Sequence, residues 1–414
     1  MPANWRLLRL PAFLMAWGVV SLVGSSVPAQ EADPARLQEQ IDALSAQVDM
    51  LAAESSAGFG TGTTVGGYAE LHYNAPEDGT TVLDFHRFVL LISKPINEWI
   101  SFYSELEIEH AFIEGGEKSG EVELEQAFLD FQIISSLRAR GGLLLAPVGI
   151  INPVHEPNTF YGVERPAFHK FIIPTTWFDA SAGVAGELEA GVNYELYLMA
   201  PLDGSGFEGK DALRGGRQKG FKSEAESLAL TGRAQYKVPG LAAGLSFWRG
   251  NASSSFLRDC GSDPDPDAGC QNTVRLDIGQ VPVMLSALDL QYDMGMFRVR
   301  AEYAAGTIGN TKNLNAITGK DAGSAFDGFY VEPSARVWQL REQSLGVFVR
   351  YEDINPQAAV AAGKVNDSLN FTKTVAGLNY WPDPDVALKF DYETKTPDAG
   401  SSTTGFNLGI GWSF

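Results

Sequence analysis

The side chains best suited to chemistry in this chain are charges set at alternate positions, together with one group of charges held among aromatic rings. Glu105, Glu107 and Glu109 follow one another at every second residue, as do Glu121, Glu123 and Glu125. Basic residues repeat the spacing in Arg138 with Arg140 and in Arg298 with Arg300, and Arg233 with Lys237 keeps the same parity. Arg336, Arg350 and Lys389 extend the basic set. Side chains two positions apart share one face of a β-strand, so the spacing predicts an acidic arc and a basic arc on a wall made of strands. The segment PVGIINPVHEPNTFYGVERPAFHKFIIPTTWFDA, residues 147–180, sets Glu164, Arg165, His169 and Lys170 beside Phe160, Tyr161, Phe168 and Phe171. Charges partly withdrawn from water exert a field that reaches further than at an open surface. The chemistry this points to is electrostatic sorting of solutes, with no bond made or broken. The plainer reading is that inward charges pair with one another, and that the four loop charges only fasten the loop to its wall.

Patterns for catalysis are not met. His155 with Glu156 and His169 matches neither HExxH nor a paired zinc spacing, and no GxSxG elbow occurs. GFGTGTTVGG lacks the preceding strand and following helix that a nucleotide loop requires. The sequence therefore assigns no catalytic residue, no cofactor and no metal, and the chain reads as not an enzyme. A hydrolase assembled from distant Ser, His and Asp stays open as a lesser reading. The DPDPD tract reads as a solvated loop more readily than as a cation site.

The elements that position these charges follow from the rest of the chain. Residues 1–29 carry Arg6 and Arg9, the apolar run LPAFLMAWGVVSLVG and the small-residue site Val27-Pro28-Ala29, the layout of a cleaved signal peptide. Export suits a disulfide between Cys260 and Cys270, which would staple a surface loop. The formal net charge of −20 becomes about −22 without the two leader arginines, and that excess opposes nucleic acid as a partner. In residues 31–56, Leu37, Ile41, Leu44, Val48 and Leu51 recur at steps of four and three, the seam of a short coiled coil. This is the one helix the pattern supports, and it is too short to hold alone. An oligomer built elsewhere is expected to support it. A linker, residues 57–64, leads into residues 65–414.

From residue 65 onward sixteen segments alternate apolar and polar side chains, joined by short and long connections in turn. Short turns on one rim and long loops on the other are the pattern of a transmembrane β-barrel. Residues 147–180 form its third long loop, expected to fold into the lumen. Tyr and Trp near the strand ends, among them Trp99, Tyr236, Tyr292, Tyr380, Trp381 and Trp412, suit membrane girdles. No run beyond the leader reaches the eighteen or so apolar residues of a membrane helix. The fold class is all-β: a 16-stranded antiparallel transmembrane β-barrel behind a short N-terminal coiled-coil helix.

The closing strand GFNLGIGWSF, ending on Phe414, resembles the signal by which Gram-negative outer-membrane proteins engage their barrel-assembly machinery. Sixteen strands with a long third loop look like the trimeric porins. The heptads after the leader are similar to those of porins with a periplasmic coiled coil, and the general character resembles the phosphate-selective porin O/P group. The resemblance implies a homotrimer in the outer membrane, set in lipid and lipopolysaccharide. It implies passive passage of small hydrophilic solutes, with phosphate or carboxylates preferred. The loop is mixed in sign, which counts against strict phosphate selectivity, and the competing expectation is a non-conducting scaffold or adhesin barrel, plugged by its third loop, whose coiled coil tethers the envelope.

Overall fold

The computed structural model of this protein describes residues 62–113, 120–189, 191–252, 255–258 and 274–414. The leader, the heptad seam from Leu37 to Leu51, and the Cys260 and Cys270 pair lie outside the described residues. The first half of the sheet comprises β1 (Thr64–Pro76), β2 (Val82–Asn97), β3 (Ile100–Glu109), β4 (Val122–Ile134), β5 (Leu137–Leu145), β6 (Phe178–Leu188), β7 (Val192–Met199), β8 (Ala229–Val238) and β9 (Leu241–Ala252). After a small hairpin of β10 (Ser255–Arg258) and β11 (Val274–Asp277) come β12 (Val281–Met294), β13 (Phe297–Ile308), β14 (Ala325–Leu340), β15 (Gln343–Ala359), β16 (Phe371–Asp383), β17 (Val386–Pro397) and β18 (Thr403–Ser413).

Sixteen of these strands close into one antiparallel barrel. Each pairs with its neighbour in sequence, β9 passes to β12 across the β10–β11 hairpin, and β18 returns to β1 with Tyr68 opposite Ser413 and Pro76 opposite Gly405. The sixteen strands read from the alternation are these sixteen. Closure leaves no sheet edge, the condition for crossing lipid with strands; among the described residues no helix is long and apolar enough to cross a membrane.

Alternation sets the two faces of the wall. In β12, Met284, Leu288 and Leu290 are exposed on the outside, while Val283, Leu285, Ala287 and Asp289 are buried inside. In β18, Phe406, Leu408 and Ile410 face outward, and the residues between them face the lumen. A β-bulge near Glu105 and Leu106 lets two successive residues of β4 reach inward, Gln126 to Glu105 and Glu125 to His155. Tight turns close the other rim; at the β8–β9 turn Gly240 takes φ 78°, where a side chain would be strained.

Two expectations are corrected. The inward loop runs over residues 146–177, because Phe178, Asp179 and Ala180 pair with Leu145, Leu144 and Leu143 and so belong to β6. The expectation of a single helix, in the heptad segment, is also corrected, because the described residues hold two α-helices of their own. The loop contains α1 (Phe168–Phe171), and the loop after β13 contains α2 (Thr311–Thr318). Both are too short to be stable alone, and they are held by tertiary packing: Phe168 and Leu314 are fully buried.

The core of the protein lies inside the barrel. Phe168, Ile172, Ile173 and Trp177 of the inward loop join Met199, Phe207, Trp248, Leu285, Tyr330 and Ile354 in one buried cluster. The rings of Trp177 and Trp248 lie 5.6 Å apart. Burying Phe168, Ile172 and Ile173 contributes about 1.5–3 kcal/mol each, which holds the loop against the walls of β9 and β12 to β15. That sector of the lumen is packed protein.

Candidate functional site

The site is built around the inward loop, and it begins at a neck. Ala146 N donates to Trp177 O at 2.8 Å, and Asn152, fully buried, closes the rest. Its Nδ2 donates to the carbonyls of Ala146 (2.7 Å) and Trp177 (3.0 Å), and its Oδ1 accepts from Trp177 N at 2.8 Å. From this neck the loop crosses the whole lumen, spending its backbone polar groups on side chains of the wall. Gly149 N donates to Ser246 Oγ and Ile150 N to Glu302 Oε1, at 3.1 and 3.2 Å. Across the barrel Val163 N donates to Asp391 Oδ2 at 2.6 Å, and Phe168 N to Glu352 Oε2 at 2.9 Å. A loop withdrawn from water must satisfy its backbone in this way. Room for it comes from the inner glycines of β18: a Cβ on Gly411 would stand 2.5 Å from Pro157, and one on Gly409 would stand 3.0 Å from Val163.

The acidic arc meets this loop at His155. The imidazole Nε2 lies 3.0 Å from Glu125 Oε2 and 3.6 Å from Glu105 Oε1, and all three groups are buried. Glu105 also accepts from Tyr68 Oη (3.0 Å) and Gln126 Nε2 (2.7 Å). Burial by itself would lower the His155 pKa, but the Glu125 and Glu105 carboxylates outweigh it and hold it up at about 10. The ring is therefore an imidazolium at neutral pH, paired with the wall. Glu107 lies 3.8 Å from the buried Arg87, which also pairs with Glu70 and donates to His155 O at 3.1 Å. Glu109, Glu121 and Glu123 sit nearer the long-loop mouth, the last two bonded to Lys219.

The basic arc does not stand as bare charge on an opposing wall. Arg140 bonds Asp130 (2.8 Å) and Glu195 (2.9 Å); Arg233 grips both oxygens of Asp289 at 2.8 Å; Arg350 bonds Glu332 (3.1 Å) and Glu352 (3.0 Å). These arginines also hold the loop: Arg233 donates to Gly149 O, Arg300 to Thr159 O, and Arg350 to Tyr161 O and Glu164 O. Lys389 is buried with its Nζ 3.8 Å from the centre of the Phe160 ring. Toward the short-turn rim the pairing thins. Arg138 is 3.8 Å from Asp130 and its side chain is 34% exposed; Arg298 bonds Asp293 and is 35% exposed. Arg336 lies 5.7 Å from the Trp381 ring and makes no ion pair among the described residues. Lys237, partly exposed, stands at the same rim.

The four loop charges separate. Glu164 accepts from Asn74 (3.1 Å) and lies 3.0 Å from His72; Arg165 donates to Thr176 Oγ1 within the loop; His169 bonds Glu302 Oε2 at 2.8 Å; Lys170 is exposed above the Phe171 ring. Three of them thus fasten the loop, and His169 and His155 go to different carboxylates. Sequence reading missed Asn152, Glu302, Glu332, Glu352 and Asp391. The acids Glu302 and Glu352 stand two residues from Arg300 and Arg350, so alternation could have found them. Nothing local marks Asn152.

No family model matches the chain. An uncharacterized protein of Aquifex aeolicus (strain VF5) is 33% identical over 375 residues, 85% of this chain and 80% of that one. The chain belongs to the same family as that Aquifex protein. In structure it is similar to the outer membrane channel DcaP of Acinetobacter baumannii, with a TM-score of 0.53 and 12% identity over 86% of this chain and all of the other. It is likewise similar to an anion-selective porin from Comamonas acidovorans, with a TM-score of 0.52 and 12% identity over 85% of this chain and 99% of that one. At such identity the likeness shows the fold: a porin-like barrel.

Proposed function

We propose that this protein is a diffusion channel of the Gram-negative outer membrane, passing small hydrophilic solutes with a preference for anions such as phosphate or carboxylates. The fold neighbours named as a channel and as an anion-selective porin support the channel reading. The observation that carries the charge preference is unequal exposure. Glu105, Glu107 and Glu125 are buried beneath the inward loop, whereas Arg138, Arg298 and Arg336 are partly exposed. Selectivity follows the fixed charges a solute can reach. The proposal includes a homotrimer in lipid and lipopolysaccharide, assembled through the closing strand. Phe414 suits that role: its backbone exchanges two hydrogen bonds with Gly67, and its ring stacks on Phe88 at 5.6 Å.

Reversal potentials in planar bilayers under a salt gradient test this reading. The native protein is expected to favour chloride over potassium, and Arg298→Gln with Arg336→Gln to bring the ratio toward one. A cation-preferring native channel refutes the preference. A second reading, a barrel plugged by its third loop, is favoured by the apolar core and by the bonds that ring the loop. It expects a silent native protein and conductance only after deletion of residues 148–178.

A further inference from the structure

Three of the five histidines in the chain stand together at the long-loop mouth, and of these only His72 is taken up by the inward loop, through Glu164. His72 of β1 stacks on His86 of β2 with ring centres 4.5 Å apart, and His86 meets His110, just beyond β3, at 5.6 Å. One carboxylate joins the outer two: Asp84 Oδ2 is 3.2 Å from His86 Nδ1 and 2.9 Å from His110 Nδ1. We propose that Asp84, His86 and His110 bind a divalent transition-metal ion of the zinc, copper and nickel group at the mouth of the barrel.

The three donor atoms all lie within 4.8 Å of one another. In a tetrahedral zinc site with bonds of about 2.0–2.1 Å, ligand atoms are separated by roughly 3.3 Å. The Asp84 contacts already stand near that separation, so an ion can take the place of the protons between these atoms with little movement of the strands. Two imidazoles and a carboxylate are a donor set for zinc, copper or nickel, and a poor one for calcium, which takes more oxygens. The outer surroundings suit the role. His110 Nε2 faces Glu109 Oε1 at 3.9 Å, a carboxylate behind a ligating ring. His72, held between Glu70 (3.2 Å) and Glu164 (3.0 Å), fixes the plane of His86 by stacking. The His110 side chain is 44% exposed, which leaves a fourth position open to water or to a ligand arriving from outside.

Equilibrium dialysis of the full-length, folded protein against zinc chloride tests the site, and it does not depend on whether the barrel conducts. The expected result is one zinc per chain that excess calcium fails to displace. Affinity should fall at least about tenfold in His110→Ala and Asp84→Asn, since even outer contacts of metal sites carry that much. His110 is exposed, so its replacement leaves the barrel intact; heat-modifiable migration on gels checks this. Absence of saturable zinc binding, displacement by calcium, or equal binding by His110→Ala overturns the proposal.

Discussion

Replacing His155 with Leu removes the one cation between Glu105 and Glu125 and is expected to loosen the loop there. In the native protein the imidazolium is buried 3.0 Å from one carboxylate and 3.6 Å from the other. Breaking such a buried pair by deleting one partner costs about 3–5 kcal/mol, because the remaining charge stays uncompensated. At about 1.4 kcal/mol per factor of ten, local opening becomes roughly a hundred to a few thousand times more frequent. The pH dependence has a definite sign. The His155 pKa rises from an ordinary value of about 6.5 to about 10 on folding. Its stabilisation is therefore complete below the ordinary value and disappears as pH climbs through about 10. Amide hydrogen exchange across residues 154–162, corrected for intrinsic rates, reads this opening directly, and single-channel noise reads its consequence. Native protein should match the variant above the raised pKa and differ from it at neutral pH. Equal exchange in both proteins at neutral pH would refute the latch.

Arg350→Met should destabilise the barrel by about 3–5 kcal/mol, since Glu332 and Glu352 would remain buried without their cation; thermal unfolding in detergent measures the loss. Gly411→Val places a side chain where a Cβ already stands 2.5 Å from Pro157, so the loop must shift. Overpacking of this kind costs about 1–3 kcal/mol, and faster proteolysis of the loop in the folded barrel is the readout. Ile41→Asp with Val48→Asp puts charge at the heptad positions and should weaken the proposed homotrimer on native gels while the barrel stays folded. Unchanged assembly would remove the seam from the oligomer.

Most of the architecture was legible because a barrel wall is written with a period of two. Ile100, Phe102, Leu106 and Ile108 set against Ser101, Glu105, Glu107 and Glu109 give the face of β3 without reference to any other strand. The glycines of GFNLGIGWSF were legible as an inner face, but their use was not. Only the folded chain puts Pro157 and Val163 against Gly411 and Gly409. The segment 147–180 could likewise be singled out by its aromatics and its lack of alternation, while the partners of its charges could not.

The sequence by itself determined the sixteen strands, their inner and outer faces, the order of short turns and long loops, and the identity of the loop that turns inward. These are properties of neighbouring residues, and the pleat repeats them locally. Tertiary structure alone decided that the acidic arc is covered by His155, that Arg233, Arg300 and Arg350 hold the loop, and that Asp84, His86 and His110 converge. Such contacts depend on strand register, on a bulge at Glu70 that turns both His86 and Arg87 inward, and on closure of β18 upon β1. Register couples residues from tens to nearly two hundred positions apart, from His110 with Asp84 to Arg350 with Tyr161, and no local pattern carries that information.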